Sequence, residues 1–470
     1  MRIWIDVEDL FQYAAHASRP SGIQRLAFEL QRAMLGLAPD TVRFVRHTTS
    51  GKGFKTVSFS EVEALFANLS KPSAAAKPQP PRIEGITSPP PRASLGRRIG
   101  RRLMALLPLE VAGPLRHFRA HQVEALRSLR YAAQVCLRRI LPEKKARLPI
   151  NVIGRNHEES PQTFDSATAP GDWLLNLGSP WNVEDYAGLV SATCARQGLN
   201  FGLLLYDIVP LRRPEWCDRN VTRAFTAWFR NVVPLADQVI AISRTTAEDA
   251  AAYAAETGMA LKSRIAPIPL GTGFGQPPAP LRTERLPQAG SFVLFVSTIE
   301  ARKNHALAFR IWRELLATMP REQVPTLVFA GRVGWLVADL MQQLENAEWL
   351  GDKIRLIEAP SDGELAAMYE DCLFTLYPSL FEGWGLPVTE SLAHGAPCLA
   401  ANATSLPEAG GNLARYFDPD NLHDALRAVR TLLEDPTGLA AWRAEIGEQF
   451  RPVSWHESAA ATLRLLGHTC

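Results

Sequence analysis

From residue 292 onward, short apolar runs alternate with longer segments of helical periodicity, and this alternation constrains the fold more than any other feature of the chain. Strands are expected at 292–296, 326–330, 354–357, 373–377 and 397–400, with a helix between each and the next. Repeated strand–helix alternation implies a parallel sheet with crossover helices. The same grammar opens the chain: a strand at 2–7, an amphipathic helix at 23–37 and a strand at 42–47. It resumes at 173–177, 201–208 and 238–242, with helices at 220–235 and at 246–257, the latter capped by Thr245 or a neighbour. Residues 275–290, which include four prolines, read as a linker between the two series. At 470 residues, with 46% hydrophobic residues and 11 Trp, the chain has the apolar content for two ordinary cores. The expected architecture is α/β, with two Rossmann-like doubly wound domains facing a central cleft. Ligands of such sheets sit beyond the carboxyl ends of the strands.

The expected boundaries are a first domain at 1–274, the linker at 275–290, a second domain at 291–450 and a closing helical segment at 451–470. Inside the first domain, 71–147 reads as an insertion, Pro/Ala-rich to Pro91 and then Arg-rich. Residues 92–147 hold 12 Arg and 2 Lys against three acidic residues, a net +11, which leaves −8 on the rest of a chain whose total is +3. Two readings stand for this basic stretch: an amphipathic segment lying on an anionic membrane surface, or a solvated basic helix. A nucleic-acid partner is not expected, because no nucleic-acid-binding motif accompanies the charge.

Asp6, Glu8 and Asp9 interrupt any export-signal core near the start, and the longest nearly apolar stretch, 103–115, is far short of the roughly 20 residues that span a bilayer. A cytoplasmic protein, peripheral on the inner membrane face if the insertion binds lipid, is the expectation. Six scattered cysteines without C-x-x-C spacing read as reduced thiols, and no metal site is expected. His157, His305 and His394 stand alone and receive no role. Residues 271–275, GTGFG, lack the spacing of a dinucleotide loop and read as a domain-closing turn.

The chemistry concentrates in YPSLFEGWGLPVTESLAHG, from Tyr377 to Gly395. A strand runs into a glycine-rich loop and then a helix with Pro387 near its first position. Amides around Gly383, Gly385 and Leu386, with the helix N-terminus behind them, form a cradle for phosphate and sugar oxygens. Glu382 lies in the loop and Glu390 on the helix. Taken singly, each also reads as a solvated or helix-favouring carboxylate; the agreement of strand, loop, proline and both carboxylates points to a site.

This string resembles the E-x7-E signature of family 4 retaining glycosyltransferases, which have the GT-B fold. FVSTIEARKN at 295–304, TLVFAGRVGW at 326–335, SLPEAGG at 405–411 and ARYFDPDN at 414–421 extend the resemblance over about residues 290–425, and VSWHES resembles the family's closing helix. The resemblance implies transfer of a hexose, of mannose or rhamnose type, from a nucleoside-diphosphate sugar to a saccharide or lipid-linked acceptor, with retention of configuration. Glu382 would hold the transferring sugar, Glu390 the ribose diol, and Lys303 with Arg302 the diphosphate, charge that fixed cations stabilise as it develops. Glu300 is expected to orient Arg302. The cations would do the work of a metal, so no cofactor is expected. Where many members carry glycine followed by arginine, this chain has Ser297 and Thr298.

The first domain matches less closely. PSGIQR, from Pro20 to Arg25, is similar to the family's glycine turn. Gly22 either lets backbone approach the donor or merely starts a helix, and Arg25 is expected to point inward. Asp207, in a stretch where many members place a His-Asp pair, either hydrogen-bonds the sugar or caps a turn. The competing functions are a nucleotide-sugar epimerase or hydrolase, and an inactive membrane-associated scaffold.

Overall fold

The computed structural model describes residues 1–17, 19–48, 50–70, 164–274 and 279–468, all within one compact unit. The expected insertion at 71–147, with Cys136, and also His157, Cys470 and the first part of the linker, lie outside the described residues.

The first sheet comprises β1 (Ile3–Asp6), β2 (Val42–His47), β3 (Phe54–Val57), β4 (Trp173–Asn176), β5 (Asn200–Leu205), β6 (Gln238–Ala241) and β7 (Ala266–Pro267). Its order is β3-β2-β1-β4-β5-β6-β7, parallel except for β3. The second comprises β8 (Phe292–Val296), β9 (Thr326–Ala330), β10 (Ile354–Ile357), β11 (Thr375–Tyr377), β12 (Cys398–Ala401) and β13 (Arg415–Phe417), in the order β10-β9-β8-β11-β12-β13, all parallel. Strand order reverses between β1 and β4 in one sheet and between β8 and β11 in the other, so each domain has a switch point where loops diverge and a ligand crevice forms. The α/β, doubly wound reading therefore describes the molecule. β1 is buried along its whole length because helices cover both faces.

The helix Gly22–Leu37 places Leu26, Leu30 and Met34 on one buried face, at helical spacing. The last helix, Trp455–Leu465, packs on that helix rather than on the second sheet. Its Ala459 and Leu463 enter the first-domain core, a capping box of Ser454 and Glu457 starts it, and the Trp455 indole N–H donates to Gly273 O at 2.7 Å. The chain thus returns to its first domain.

Local departures from the sequence expectation have identifiable causes. The strand expected at 201–208 stops at Leu205, because the Tyr206 hydroxyl donates to Leu177 O at 2.6 Å and Asp207 turns the chain into the short helix Val209–Arg212. The cap of helix Arg244–Glu256 is Ser243, whose side chain accepts from Thr246 N. The helix Glu8–Ala14, the antiparallel β3 and the three-residue β13 were not expected: each is short, and each is held by neighbours rather than by its own periodicity.

One buried polar cluster sits at the β1/β4 switch. Asp6 Oδ2 accepts from Tyr186 at 2.9 Å and faces His47 Nε2 at 3.0 Å. Asp9 accepts from Ser179 N at 3.0 Å and Ser179 Oγ at 3.3 Å. Burial pushes the Asp9 carboxyl up from 3.8 to about 6, against those hydrogen bonds. A carboxyl raised in the folded state stabilises when protonated, so its contribution is complete below pH 3.8 and lost as pH rises through about 6. The shift corresponds to about 3 kcal/mol. Asp9→Asn should therefore gain melting temperature relative to wild type between pH 4 and 7; parallel melting curves across that range would remove Asp9 as the source.

Candidate active site

Three loops at carboxyl ends of the second sheet converge on one carboxylate. After β11, Tyr377 and Ser379 approach Glu382; after β8, Arg302 and Lys303 approach it from the other side; after β12, Thr404 and Ser405 hold its backbone. Glu382 Oε1 accepts from the Lys303 ammonium, from Tyr377 OH at 2.9 Å and from Ser379 Oγ at 2.6 Å. Its Oε2 accepts from Arg302 at 2.8 Å. Thr404 Oγ1 accepts from Glu382 N at 2.9 Å, and Ser405 Oγ donates to Glu382 O at 2.9 Å. Lys303 also donates to Tyr377 OH at 2.9 Å, and Arg302 to Phe381 O at 2.9 Å. Glu300 completes the group with Oε2 3.4 Å from Arg302 Nε, the ion pair expected for it.

Burial alone would push the Glu382 carboxyl up, but the Arg302 and Lys303 charges outweigh it, with hydrogen bonds from Lys303 and Ser379, and hold it at about 2. Glu382 is therefore an anion at any functional pH and a poor proton acceptor. Its job in this arrangement is to fix two cations. Both of its oxygens are engaged by the protein itself, which qualifies the expectation of a free sugar ligand. The partners Tyr377 and Ser379 stand inside the string that marks the site, at five and three residues before Glu382. That spacing was the available signal for them; Thr404, from a separate loop, left none.

Gly385 has φ 107°, a left-handed conformation that favours glycine, and delivers the chain into helix Leu386–Ala393 with Pro387 in its first turn. Glu390 is half-buried on that helix, with Oε2 accepting from Tyr369 OH at 2.9 Å. Burial raises its carboxyl, opposed by the Tyr369 hydrogen bond and the Arg25 charge. Arg25 does face the cleft, and pairs across it with Asp362 at 3.1 Å. Gly22 is the first residue of its helix. A Cβ there would meet the Leu386 side chain at an ordinary 3.7 Å, so its place requires no close backbone approach.

Gly383 does require one. A Cβ on it would lie 2.0 Å from Tyr206 O and 3.1 Å from Asp207 Cβ, and its own carbonyl accepts from Thr246 Oγ1 at 3.2 Å. The glycine loop of the second domain thus rests on backbone of the first. Gly383→Ala should wedge the domains apart and lower activity about 100-fold, the effect of roughly 1 Å of misplacement, without loss of melting temperature beyond a few degrees; wild-type activity would show that the contact opens freely.

Asp207 caps the following turn, with Oδ1 accepting from Val209 N at 3.0 Å, and so shows the turn-capping alternative. It also lies within reach of the site charges: burial raises its carboxyl, with Arg302 pulling it down and Glu382 pushing it up. His305 stacks on Phe295 at 4.1 Å, and burial with the Lys303 charge lowers it to about 3. Among the described residues no group of His, Cys, Asp or Glu is arranged to hold a metal ion, the four described cysteines are free thiols, and no helix is long and apolar enough to cross a membrane.

A buried anion locking two cations, beside a glycine loop and helix N-terminus at a sheet's switch point, is an arrangement suited to an anionic, oxygen-rich ligand. Residues 282–450 match the family model described as "Glycosyl transferases group 1". The serotype-specific mannosyltransferase WbdA of Escherichia coli is 29% identical over 280 residues, covering 56% of this chain and 33% of that protein. The O-antigen chain mannosyltransferase B of Escherichia coli is 31% identical over 173 residues, covering 37% and 44% respectively. The matched stretches thus span a third to less than half of these relatives. Among solved structures, Anabaena HepE in complex with UDP and glucose superposes with a TM-score of 0.53 at 14% identity over 99% of both chains, a likeness of fold. The second domain is thus similar to the group 1 glycosyl transferases over residues 282–450, and the two-sheet architecture is that of the GT-B fold.

Proposed function

We propose that the protein transfers a hexose, with mannose as the leading candidate, from a nucleoside-diphosphate sugar to a hydroxyl of a saccharide or lipid-linked acceptor in surface-polysaccharide synthesis. The observation that carries this reading is the Glu382 carboxylate holding Arg302 and Lys303 together at the carboxyl end of β8. In the reaction the bond between the anomeric carbon and the phosphate oxygen breaks, and a bond from that carbon to the acceptor oxygen forms. Arg302 and Lys303 stabilise the negative charge that gathers on the leaving diphosphate. Glu390 keeps Oε1 for a ribose diol while Oε2 is engaged by Tyr369. The acceptor's proton passes to a leaving phosphate oxygen on the same face, which gives retention and asks little of Glu382 as a base.

The names of the Escherichia coli relatives support mannose and O-antigen-type polysaccharide, and the +11 charge of residues 92–147 supports work at the inner membrane face. Because side-chain cations carry the charge neutralisation, transfer is expected to continue in a chelator.

The test is a thermal-shift screen of the purified protein against GDP, UDP, TDP, ADP and CDP, with Glu390→Ala as control. Stabilisation by one nucleotide, diminished in the variant, is expected, and a ligand at 100 times its Kd adds about 2.7 kcal/mol. No shift with any of the five would count against a nucleotide-sugar donor.

A further inference from the structure

The stretch 404–408, which follows β12, touches both domains at once. Toward the second domain, Thr404 Oγ1 accepts from Glu382 N at 2.9 Å, and Ser405 Oγ donates to the carbonyls of Glu382 and Trp384, each at 2.9 Å. Toward the first domain, it meets the start of the helix Arg244–Glu256. Glu408 Oε1 accepts from Arg244 N at 2.9 Å, Glu408 Oε2 accepts from Arg244 N at 3.1 Å and from Thr245 N at 3.3 Å, and the Thr245 hydroxyl donates to Thr404 O at 3.4 Å. Glu408 stands in the SLPEAGG string at 405–411.

Every helix opens with N–H groups that its own turns leave unpaired. Here Thr246 N goes to the helix's own cap, Ser243, while Arg244 N and Thr245 N are satisfied by a carboxylate of the other domain. The helix dipole favours an anion at that place. Arg25 and Asp362 also bridge the domains, but their side chains are 27% and 55% exposed, and such surface pairs hold weakly. Thr404 has φ 47°, in the left-handed region that a β-branched residue enters only when its surroundings impose it. The contacts that impose it come from both domains: Glu382 N on its side chain and the Thr245 hydroxyl on its carbonyl.

Resting on the transferase reading above, we propose that Glu408 is a positioning residue: it clasps the helix Arg244–Glu256 of the first domain, and through Thr404 that clasp fixes the loop carrying Glu382. Docking of the domains and placement of the carboxylate that holds Arg302 and Lys303 are then one event. With the domains apart, Arg244 N and Thr245 N turn to water, Thr404 O loses the Thr245 hydroxyl, and the strained residue relaxes away from Glu382 N. The charge-stabilising group is thereby complete only around a closed cleft, from which water is excluded. Its consequence is a partition: the activated sugar goes to an acceptor hydroxyl rather than to water.

The experiment uses the mannose derivative of the nucleotide that stabilises wild type. It measures transfer to octyl glycosides of mannose, glucose, galactose and N-acetylglucosamine and, separately, release of free mannose to water. Glu408→Ala should lower kcat for transfer about 10-fold, the scale of an anion lost from a partly buried helix N-terminus, and raise the ratio of hydrolysis to transfer about 5-fold. Glu408→Gln, which keeps an acceptor oxygen, should lose only about 3-fold. Arg244→Pro deletes one clasped N–H from the first-domain side. Proline suits the first helical position, and Ser243, at φ −153° and ψ 160°, already has the extended backbone that precedes a proline. This variant should also lose about 3-fold, and the double variant with Glu408→Ala should lose no more than Glu408→Ala alone, since both remove the same contact. A variant that was merely less folded would lose transfer and hydrolysis together, so an unchanged ratio overturns the clasp, as do additive losses. Hydrogen exchange at residues 243–247 tests the clasp without turnover: protection should fall about 10-fold in Glu408→Ala, and equal exchange in the two proteins overturns it. Absence of transfer by wild type to every acceptor overturns the mannosyl-transfer reading, and the exchange result then decides the contact by itself.

Discussion

Glu382→Gln should reduce sugar transfer by at least about 100-fold and also destabilise the fold, by about 3–5 kcal/mol, because it leaves two buried cations without their shared anion. The glutamine keeps the size of the side chain but brings an N–H₂ toward Lys303 and Arg302, which are donors themselves. The structure thus joins two effects that a loop carboxylate on the surface would have kept apart. Calorimetric melting and turnover should fall together. The pH dependence supplies an independent check. A carboxyl held at about 2 in the folded state and near 4.5 when unfolded contributes stability that is present above pH 4.5 and lost as pH falls toward 2. Glu382→Gln should lose that acid-sensitive component. A variant with wild-type stability at pH 7 would mean that the Arg302 and Lys303 charges are not held by Glu382 at all.

Lys303→Met should lower kcat about 100- to 1,000-fold, the cost of removing one preorganised charge from a developing anion. It should also weaken nucleoside-diphosphate binding about 10-fold. Methionine retains the apolar stem, so packing against Tyr377 survives while the charge does not. Here the stability cost should be smaller than for Glu382→Gln, since Arg302 still pairs with the carboxylate at 2.8 Å. Isothermal titration with the nucleotide that stabilises wild type separates the two consequences. Unchanged affinity and rate would move the diphosphate to other donors, such as the amides at the start of helix Leu386–Ala393.

Much of this was legible before any coordinates. The strands at 292–296, 326–330 and 354–357 stand where the apolar runs put them, since a fully buried parallel strand has few ways to be written. Glu382 was recognisable from its place in the glycine-rich string, Lys303 and Arg302 through the family resemblance, and the loop–helix transition from its glycines and Pro387. Harder to read were elements whose stability is borrowed: β3 pairs antiparallel at an edge, β13 has three residues, and the cluster of Asp6, Asp9, His47 and Tyr186 gathers residues up to 180 positions apart.

What the sequence by itself determined is the alternation, hence two parallel sheets, and the residue types gathered at the end of β11, because local periodicity and short-range spacing depend only on neighbours along the chain. Only the tertiary structure decided what those residues do to one another. Glu382 is spent on two cations 79 and 80 positions away, Gly383 is small because Tyr206 of the other domain occupies its Cβ space, and the turn at Trp181 packs its ring 5.9 Å from that of Trp228 on the helix Arg219–Val232. Such contacts are set by packing in three dimensions, where burial converts ordinary charges and rings into a committed arrangement, and no spacing along the chain encodes them.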